Sequence, residues 1–472
     1  MSATQATKNQ YNSVDKDRFL LDILICPACS NSNSTLVIDS GSASCTQCGS
    51  HFPIFKCADK EIPWLYKEPE SQVYEWQARL KGFMHINELE QQHLKEGLKD
   101  KRLSKTGQKR IRKLFDSKKQ QREQVLSLLA PFNLQNSESV SINLVGKIQN
   151  NTPRVQGLTS YYDNIFRDWS WSNYENQQML DAINRVYDAH NSIGKILTIG
   201  SGAGRLSYDI HKKYSADYSL LLDINPLLMS AACNAIQGNC FDLNEFPIAP
   251  LNKQTFYATQ SCGAPLAIKE NIDYLFADGM NPPVNEGAFD TVLTPWLLDI
   301  IPQNLRDYIP RINRCIREGG IWLNTGSLAF FHKQASWCYS EEEVIELIEK
   351  NGFELIAANR NTISYLKSPL SAHGRTEDVF SFCARKIKNV VQPKKYEYLP
   401  TWIRNTTESI PKQLNYEIGS SKHLLQAQVF GAIDGNRSIE QIGGLVAKQY
   451  NLEVTESITA VRQIMIDSFE EH

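Results

Sequence analysis

Lys195-Ile196-Leu197-Thr198-Ile199 runs straight into Gly200-Ser201-Gly202-Ala203-Gly204, and Arg205 to Lys213 follows with helical periodicity. A short apolar strand, a glycine turn and a helix start form one half of a βα unit. The glycines allow close backbone approach, and the helix N-terminus offers unpaired N–H groups to a polar ligand. The spacing is G-x-G-x-G, not the G-x-G-x-x-G of dinucleotide binders. Downstream, Tyr218 to Leu222 reads as a second strand ending in Asp223, and Tyr274 to Ala277 as a third ending in Asp278. Phe289 to Thr294 is a fourth, and Gly319-Gly320 turns into a fifth at Ile321 to Asn324. Residues 191–388 thus alternate strands and helices, the signature of a parallel α/β sheet.

The loop suits S-adenosylmethionine, whose methionine part can lie against it without a pyrophosphate. The order of loop, Asp223 and Asp278 resembles class I (Rossmann-like) methyltransferases. That resemblance implies a cofactor over Gly200, Ser201, Gly202 and Gly204, with Asp223 on the ribose and Asp278 at the adenine amino group. Arg167 and Arg205 are candidates for its carboxylate end. Asn281-Pro282-Pro283-Val284 is similar to a motif of DNA amino-methyltransferases, but it precedes the fourth strand and lacks the aromatic residue, so it reads as a turn.

Residues 159 to 388 resemble the carnosine N-methyltransferase family. Phe166-Arg167-Asp168-Trp169-Ser170 matches its helical signature, and Gly202-Ala203-Gly204-Arg205-Leu206 sits in its loop. The insertion Asn244 to Asp273, then Leu298-Asp299, Trp322 to Leu328, Tyr339 to Val344, Asn351-Gly352-Phe353 and Cys383 to Lys386 follow in the family's order. The resemblance implies N-methylation of an imidazole, with Asp299 holding the ring, His332 near the substrate and Tyr365 a late site residue. Asp299 as a helix cap and His332 as a surface histidine are the alternatives. Where the family has a tyrosine-rich stretch, this chain has Gly374-Arg375-Thr376-Glu377.

Cys26-Pro27-Ala28-Cys29 and Cys45-Thr46-Gln47-Cys48 are two C-x2-C pairs separated by fifteen residues, the spacing of a closed, structural Zn2+ site. The flanks Phe19 to Pro27 and Gly49 to Ile54, with Ile62-Pro63-Trp64-Leu65, resemble the small zinc-ribbon activator subunits of methyltransferases. Cys57 reads as a buried thiol.

Across 472 residues, 50 Lys+Arg against 52 Asp+Glu give a net charge of -2, which excludes a globally basic nucleic-acid binder. Lys95 to Arg122 carries twelve basic and three acidic residues, but only Phe115 interleaves, so a solvated helical face is expected rather than a nucleic-acid partner. Residues 1–18 hold no apolar signal segment, no run is long enough to cross a membrane, and eleven cysteines, an odd number, fit a reducing cytoplasm. In the tail, Asp434-Gly435-Asn436-Arg437-Ser438-Ile439 opens a helix with Ile442, Leu445 and Val446, and Thr455 to Phe469 forms another. This resembles the PqqD-like peptide-recognition domain, with a winged-helix dimerisation appendage as the alternative. The expected architecture is a zinc ribbon at 1–66, a helical extension at 67–190, a methyltransferase core at 191–388 and a winged-helix-like, PqqD-like domain at 389–472. The expected function is imidazole N-methylation on a histidine of a ribosomally made peptide, its leader segment held by the tail. The alternatives are a small dipeptide such as carnosine, or a translation-associated methyltransferase or adaptor.

Overall fold

The structure, a computed structural model, describes residues 20–134, 156–187, 192–393 and 414–470, apart from 21, 30–33, 40 and 333, with a few isolated residues between 401 and 411. The signal-segment reading of residues 1–18, the stretch 135–155 of the helical extension and Lys394-Lys395 of the linker lie outside the described residues. The chain divides into two compact units, Met1–Gln392 and Pro393–His472.

The first unit opens with four strands, β1 (Leu36–Asp39), β2 (Ser42–Cys45), β3 (His51–Cys57) and β4 (Lys60–Leu65). They form an antiparallel meander, with Ala43 opposite Phe52 and Phe55 opposite Ile62. Two long helices follow, α1 (Pro69–Gly97), with proline at its start, and α2 (Lys105–Leu129), whose N-cap Ser104 accepts from Gly107 N–H. Short helices α3 (Tyr162–Trp169) and α4 (Tyr174–Asn184) lead into the βα core. That core comprises β5 (Lys195–Ile199), α5 (Arg205–Lys213), β6 (Tyr218–Asp223), α6 (Pro226–Gln237), β7 (Phe241–Glu245), β8 (Ala258–Cys262) and β9 (Ile272–Ala277). It continues with β10 (Phe289–Pro295), α7 (Leu305–Cys315), β11 (Ile316–Gly326), α8 (Glu341–Lys350), β12 (Phe353–Tyr365) and β13 (Arg375–Lys386).

Core strands run in the order β9-β6-β5-β10-β11-β13-β12, with β9 to β11 parallel and β13 antiparallel to both its neighbours. This is the class I methyltransferase sheet, reversed in order at β5, where ligands bind beyond the strand ends. The insertion between β6 and β9 carries the antiparallel pair β7–β8, so Asn244 lies inside a strand. The Gly319-Gly320 pair falls within β11 instead of turning into it. A Cβ on Gly320 would stand 2.5 Å from the Asp290 carbonyl oxygen, and the β10–β11 register shifts beside it.

The ribbon is not a separate lobe. β4 pairs in parallel with β9, Trp64 opposite Phe276 and Leu65 opposite Ala277, which makes one eleven-stranded sheet. Ribbon residues Leu36, Ala43 and Phe52 share a core with Leu197, Ile199, Leu220 and Leu222 of the βα sheet. On the other face Ile62, Trp64 and Tyr66 pack with Trp76, Val125, Phe132 and Phe276. The Asn281–Asn285 turn also receives the ribbon: Ile25 N–H donates to the Pro283 carbonyl, and Asn285 N–H to that of Ile23. Cys57 is indeed buried, its carbonyl accepting from the Cys233 thiol at 3.1 Å.

On α2, Lys118 and Arg122 pair with Glu90 and Glu88 of α1 at 2.8 and 2.7 Å, while Ser117, Gln120 and Gln124 bond Asn244. No helix among the described residues is long and apolar enough to cross a membrane.

Among its described residues the second unit has helices α9 (Leu414–Gly431), α10 (Ile439–Tyr450) and α11 (Val454–Glu470), around Val429, Ile442, Val446 and Val461. Ser438 and Gln441 form a reciprocal capping box at the start of α10. Gly443 is needed there, because a Cβ would meet Ile458 Cα at 2.9 Å. No strand occurs among the described residues of this unit, so they show neither a wing nor a sheet edge for a leader peptide.

Candidate functional site

The glycine loop leaves β5 with Gly200, Gly202 and Gly204 all at positive φ (71°, 58° and 88°), conformations that favour glycine. Their surroundings differ. A Cβ on Gly204 would press on Ala232 at 3.0 Å and on Leu221 and Ile236 at 3.2 Å, so this glycine seats α5 against α6. A Cβ on Gly202 would meet nothing within 4 Å, so space is open above that residue. Gly202 N–H donates to Asp223 Oδ2 at 2.7 Å, and Asn225 N–H to Oδ1 at 2.8 Å. Burial lifts the Asp223 carboxyl to about 6 against the pull of these donors. Asp278 directly follows β9 and accepts from Met280 N–H at 2.9 Å.

The signature helix α3 is fastened to this loop. Trp169 Nε1–H donates to the Ala203 carbonyl at 2.7 Å. Arg205 is occupied by structure: its guanidinium bonds Asp209, the Asp168 carbonyl and Asn173, all within 2.9 Å. Of the two arginines expected at the cofactor's carboxylate end, Arg205 is thus committed to protein partners. Arg167 Nε bonds Asp168 at 2.8 Å, and Glu175 lies 3.8 Å away, while its Nη1 is buried without a hydrogen-bond partner. Burial alone would lower its pKa, but the Asp168 and Glu175 carboxylates win and keep it charged. Ser201 Oγ is a second buried polar atom without a partner. An open space over Gly202, an unpaired guanidinium N–H on Arg167 and an unpaired hydroxyl on Ser201, and a carboxylate at the second strand's end fit S-adenosylmethionine: an amino acid at one end, a ribose at the other.

Beyond β10 lies a second group. Asp299 Oδ2 accepts from Ser327 Oγ–H at 2.5 Å and Ala329 N–H at 3.2 Å, and burial raises its pKa. Tyr365, at the end of β12, packs its ring on Trp296 at 4.7 Å and under Arg375 at 4.4 Å. Glu175 ties this end of β12 to α4 by accepting from Leu366 N–H at 3.1 Å. Tyr161 stands between the two groups. Its phenol is raised first by burial, then by Tyr365, Asp223 and Asp299. Tyr161 thus feels the charges of Tyr365, Asp223 and Asp299, and Tyr365 that of Arg167.

His332 sits apart on the loop after β11, its ring 6.3 Å from Phe330 and 5.4 Å from Trp337, with no contact to Asp299. Tyr161 and Trp296 were missed in the sequence reading. Trp296 has φ 50°, and its indole N–H is buried without a partner. Its signal was a Pro295-Trp296 pair directly after a core strand, where sites form.

The four ribbon thiols lie within 4.8 Å of one another, with Cys26–Cys48 at 3.6 Å and Cys29–Cys45 at 3.8 Å. A tetrahedral zinc with Zn–S bonds of about 2.3 Å requires sulfur separations of about 3.8 Å. The cluster fits one Zn2+ with no open coordination position.

A family model described as Carnosine N-methyltransferase matches residues 145–387, just over half the chain, and one described as Trm112p-like protein matches 17–56. The carnosine N-methyltransferase of Dictyostelium discoideum is 25% identical over 195 residues, 38% of this chain and 41% of that protein. The Mus musculus enzyme is 24% identical over 208 residues, 40% of this chain and 51% of its own. The chain thus spans about half the length of these curated relatives. Among solved structures, Haemonchus contortus phosphoethanolamine N-methyltransferase 2 with S-adenosylhomocysteine aligns at 13% identity, covering 50% of this chain and 62% of that one, with a TM-score of 0.33.

Proposed function

The chain belongs to the carnosine N-methyltransferase family, and from that premise we propose that it methylates an imidazole nitrogen of a small histidine-containing dipeptide such as carnosine. The observation that carries this reading is Asp299, fixed by Ser327 and Ala329 and acting, with Asp223 and Tyr365, on Tyr161. S-adenosylmethionine, held by Gly202, Asp223 and Arg167, supplies an electrophilic methyl group when bound. Both bonds to Asp299 fall on Oδ2, and we assign the imidazole N–H to Oδ1. A carboxylate accepting that N–H leaves the other ring nitrogen's lone pair free to attack and offsets the positive charge that develops. Trp296 and Tyr365 supply an aromatic wall that orients the ring and excludes water.

The test is methyl transfer from labelled S-adenosylmethionine to carnosine. Asp299→Asn should retain binding of cofactor and carnosine but lose turnover by about 100-fold or more. Unchanged turnover would refute the role.

A second reading has the histidine in a longer peptide, favoured by the separate helical unit. An open groove there is bounded by Gln428, Gly431, Ala432, Leu445, Val446 and Lys448. Removing residues 393–472 should leave carnosine turnover unchanged if carnosine is the substrate. Raised KM for a peptide, with no carnosine turnover in the full chain, would favour the second reading.

A further inference from the structure

Tyr66 lies where the ribbon's last strand reaches the ligand-binding end of the sheet. In the parallel register of β4 on β9, Leu65 stands opposite Ala277, so Tyr66 comes next, beside Asp278. The residue is 1% exposed, its ring centre is 5.2 Å from that of Trp64, and its hydroxyl is buried with no hydrogen-bond partner. Nearby on α1, Arg79 lies over Trp76 at 4.7 Å and bonds Glu75 at 2.6 Å. Trp76 Nε1 and Arg79 Nη1 are buried without partners too. A native fold seldom leaves a hydroxyl this deeply buried and unpaired unless something else pairs with it. Burial foremost, then the charges of Asp278 and Asp223, hold the phenol protonated far above its ordinary range, so its O–H stays available to donate to an incoming acceptor.

We infer that Tyr66 is a cofactor-binding residue supplied by the ribbon, its hydroxyl donating to the nucleoside half of S-adenosylmethionine between Asp223 and Asp278. This rests on the cofactor assignment but not on the identity of the methyl acceptor. The ribbon then contributes an atom to the site besides covering a sheet edge.

The experiment is calorimetry on the full chain with S-adenosylhomocysteine and with 5′-methylthioadenosine, which keeps the nucleoside and lacks the amino acid. Tyr66→Phe should weaken both ligands roughly 2- to 10-fold, the worth of one neutral hydrogen bond. The ligand-free melting temperature should stay or rise, because an unpaired buried hydroxyl has been removed. Equal affinity in both chains overturns the proposal, as does a lower melting temperature without loss of affinity. A loss for S-adenosylhomocysteine alone moves the contact to the methionine end and overturns the nucleoside assignment. If wild type binds neither ligand, the cofactor assignment itself fails. Asp223→Ala, which should weaken binding whatever Tyr66 does, keeps the two failures apart.

Discussion

The backbone N–H of Gly202 donates to the Asp223 carboxylate at 2.7 Å, so the glycine loop and the acid that ends the next strand form one rigid unit. The carboxylate we assign to the ribose is thereby also part of what shapes the loop. Because burial raises Asp223 to about 6, its ionisation falls within an accessible pH range. Ribose hydroxyls donate to the ionised form, so cofactor affinity should be full at pH 7 and fall as pH drops through 6. Proton linkage predicts roughly tenfold weaker S-adenosylhomocysteine at pH 5 than at pH 7. Calorimetry across that interval checks it, and Asp223→Asn should flatten the profile.

Two glycines of the same loop should fail in opposite ways. Gly204→Ala drives a Cβ against Ala232 and Leu221, so melting temperature should drop, with about 1–3 kcal/mol of overpacking added to the positive-φ cost. Gly202→Ala meets open space in the free protein, so its stability cost should be the backbone term alone, about 1–2 kcal/mol. Its Cβ enters the space assigned to the cofactor, and binding should suffer more than stability. Paired melting curves with and without ligand separate the two.

Metal content should be one zinc per chain, measurable by elemental analysis. Cys26 is fully buried and Cys45 nearly so, at 0% and 3% exposure, so losing the metal exposes the ribbon's core. Chelation, or Cys26→Ser, should lower the melting temperature, since binding energy in a closed site is folding energy.

Gly326→Ala should impair turnover while sparing the cofactor. A Cβ there would stand 2.8 Å from Trp296 Cα and 2.9 Å from its nitrogen, backbone atoms with little room to yield. Displacing Trp296 disturbs its 4.7 Å packing on Tyr365. A shift near 1 Å at a reacting centre can cost about 100-fold, so carnosine kcat/KM should fall steeply with S-adenosylhomocysteine affinity nearly unchanged. Equal losses in both would place Trp296 at the cofactor instead.

The βα core was legible because β5, β6 and β9 are short apolar runs ending at a glycine or an acid (Gly200, Asp223 and Asp278), a local pattern. The Cys26–Cys48 quartet was legible because metal spacing is local too. The place of Trp64, and of Tyr66 just after it, was not, because β4 pairs with β9 more than 200 residues away, and nothing within Lys60–Leu65 names that partner. Arg205 looked available for the cofactor at the mouth of a helix. The contrary sign was Asp209, four residues on and on the same helical face, which now holds its Nε at 2.9 Å. Trp296 combines a positive φ with an N–H bond to the Thr325 carbonyl on the neighbouring strand, and a linear pattern cannot reveal either.

The parallel seam between β4 and β9 also fixes a stoichiometry. A free sheet edge invites whichever strand arrives, and an edge covered by a separate protein is covered only in proportion to that protein's abundance. Here the covering strand is synthesised with the strand it covers, one copy for each βα core, and its pairing is intramolecular. The cover cannot be titrated away or shared among other enzymes. The same tether has a converse. A defect in the ribbon of one chain stays with that chain, because a sound ribbon supplied separately would find its place on β9 already taken.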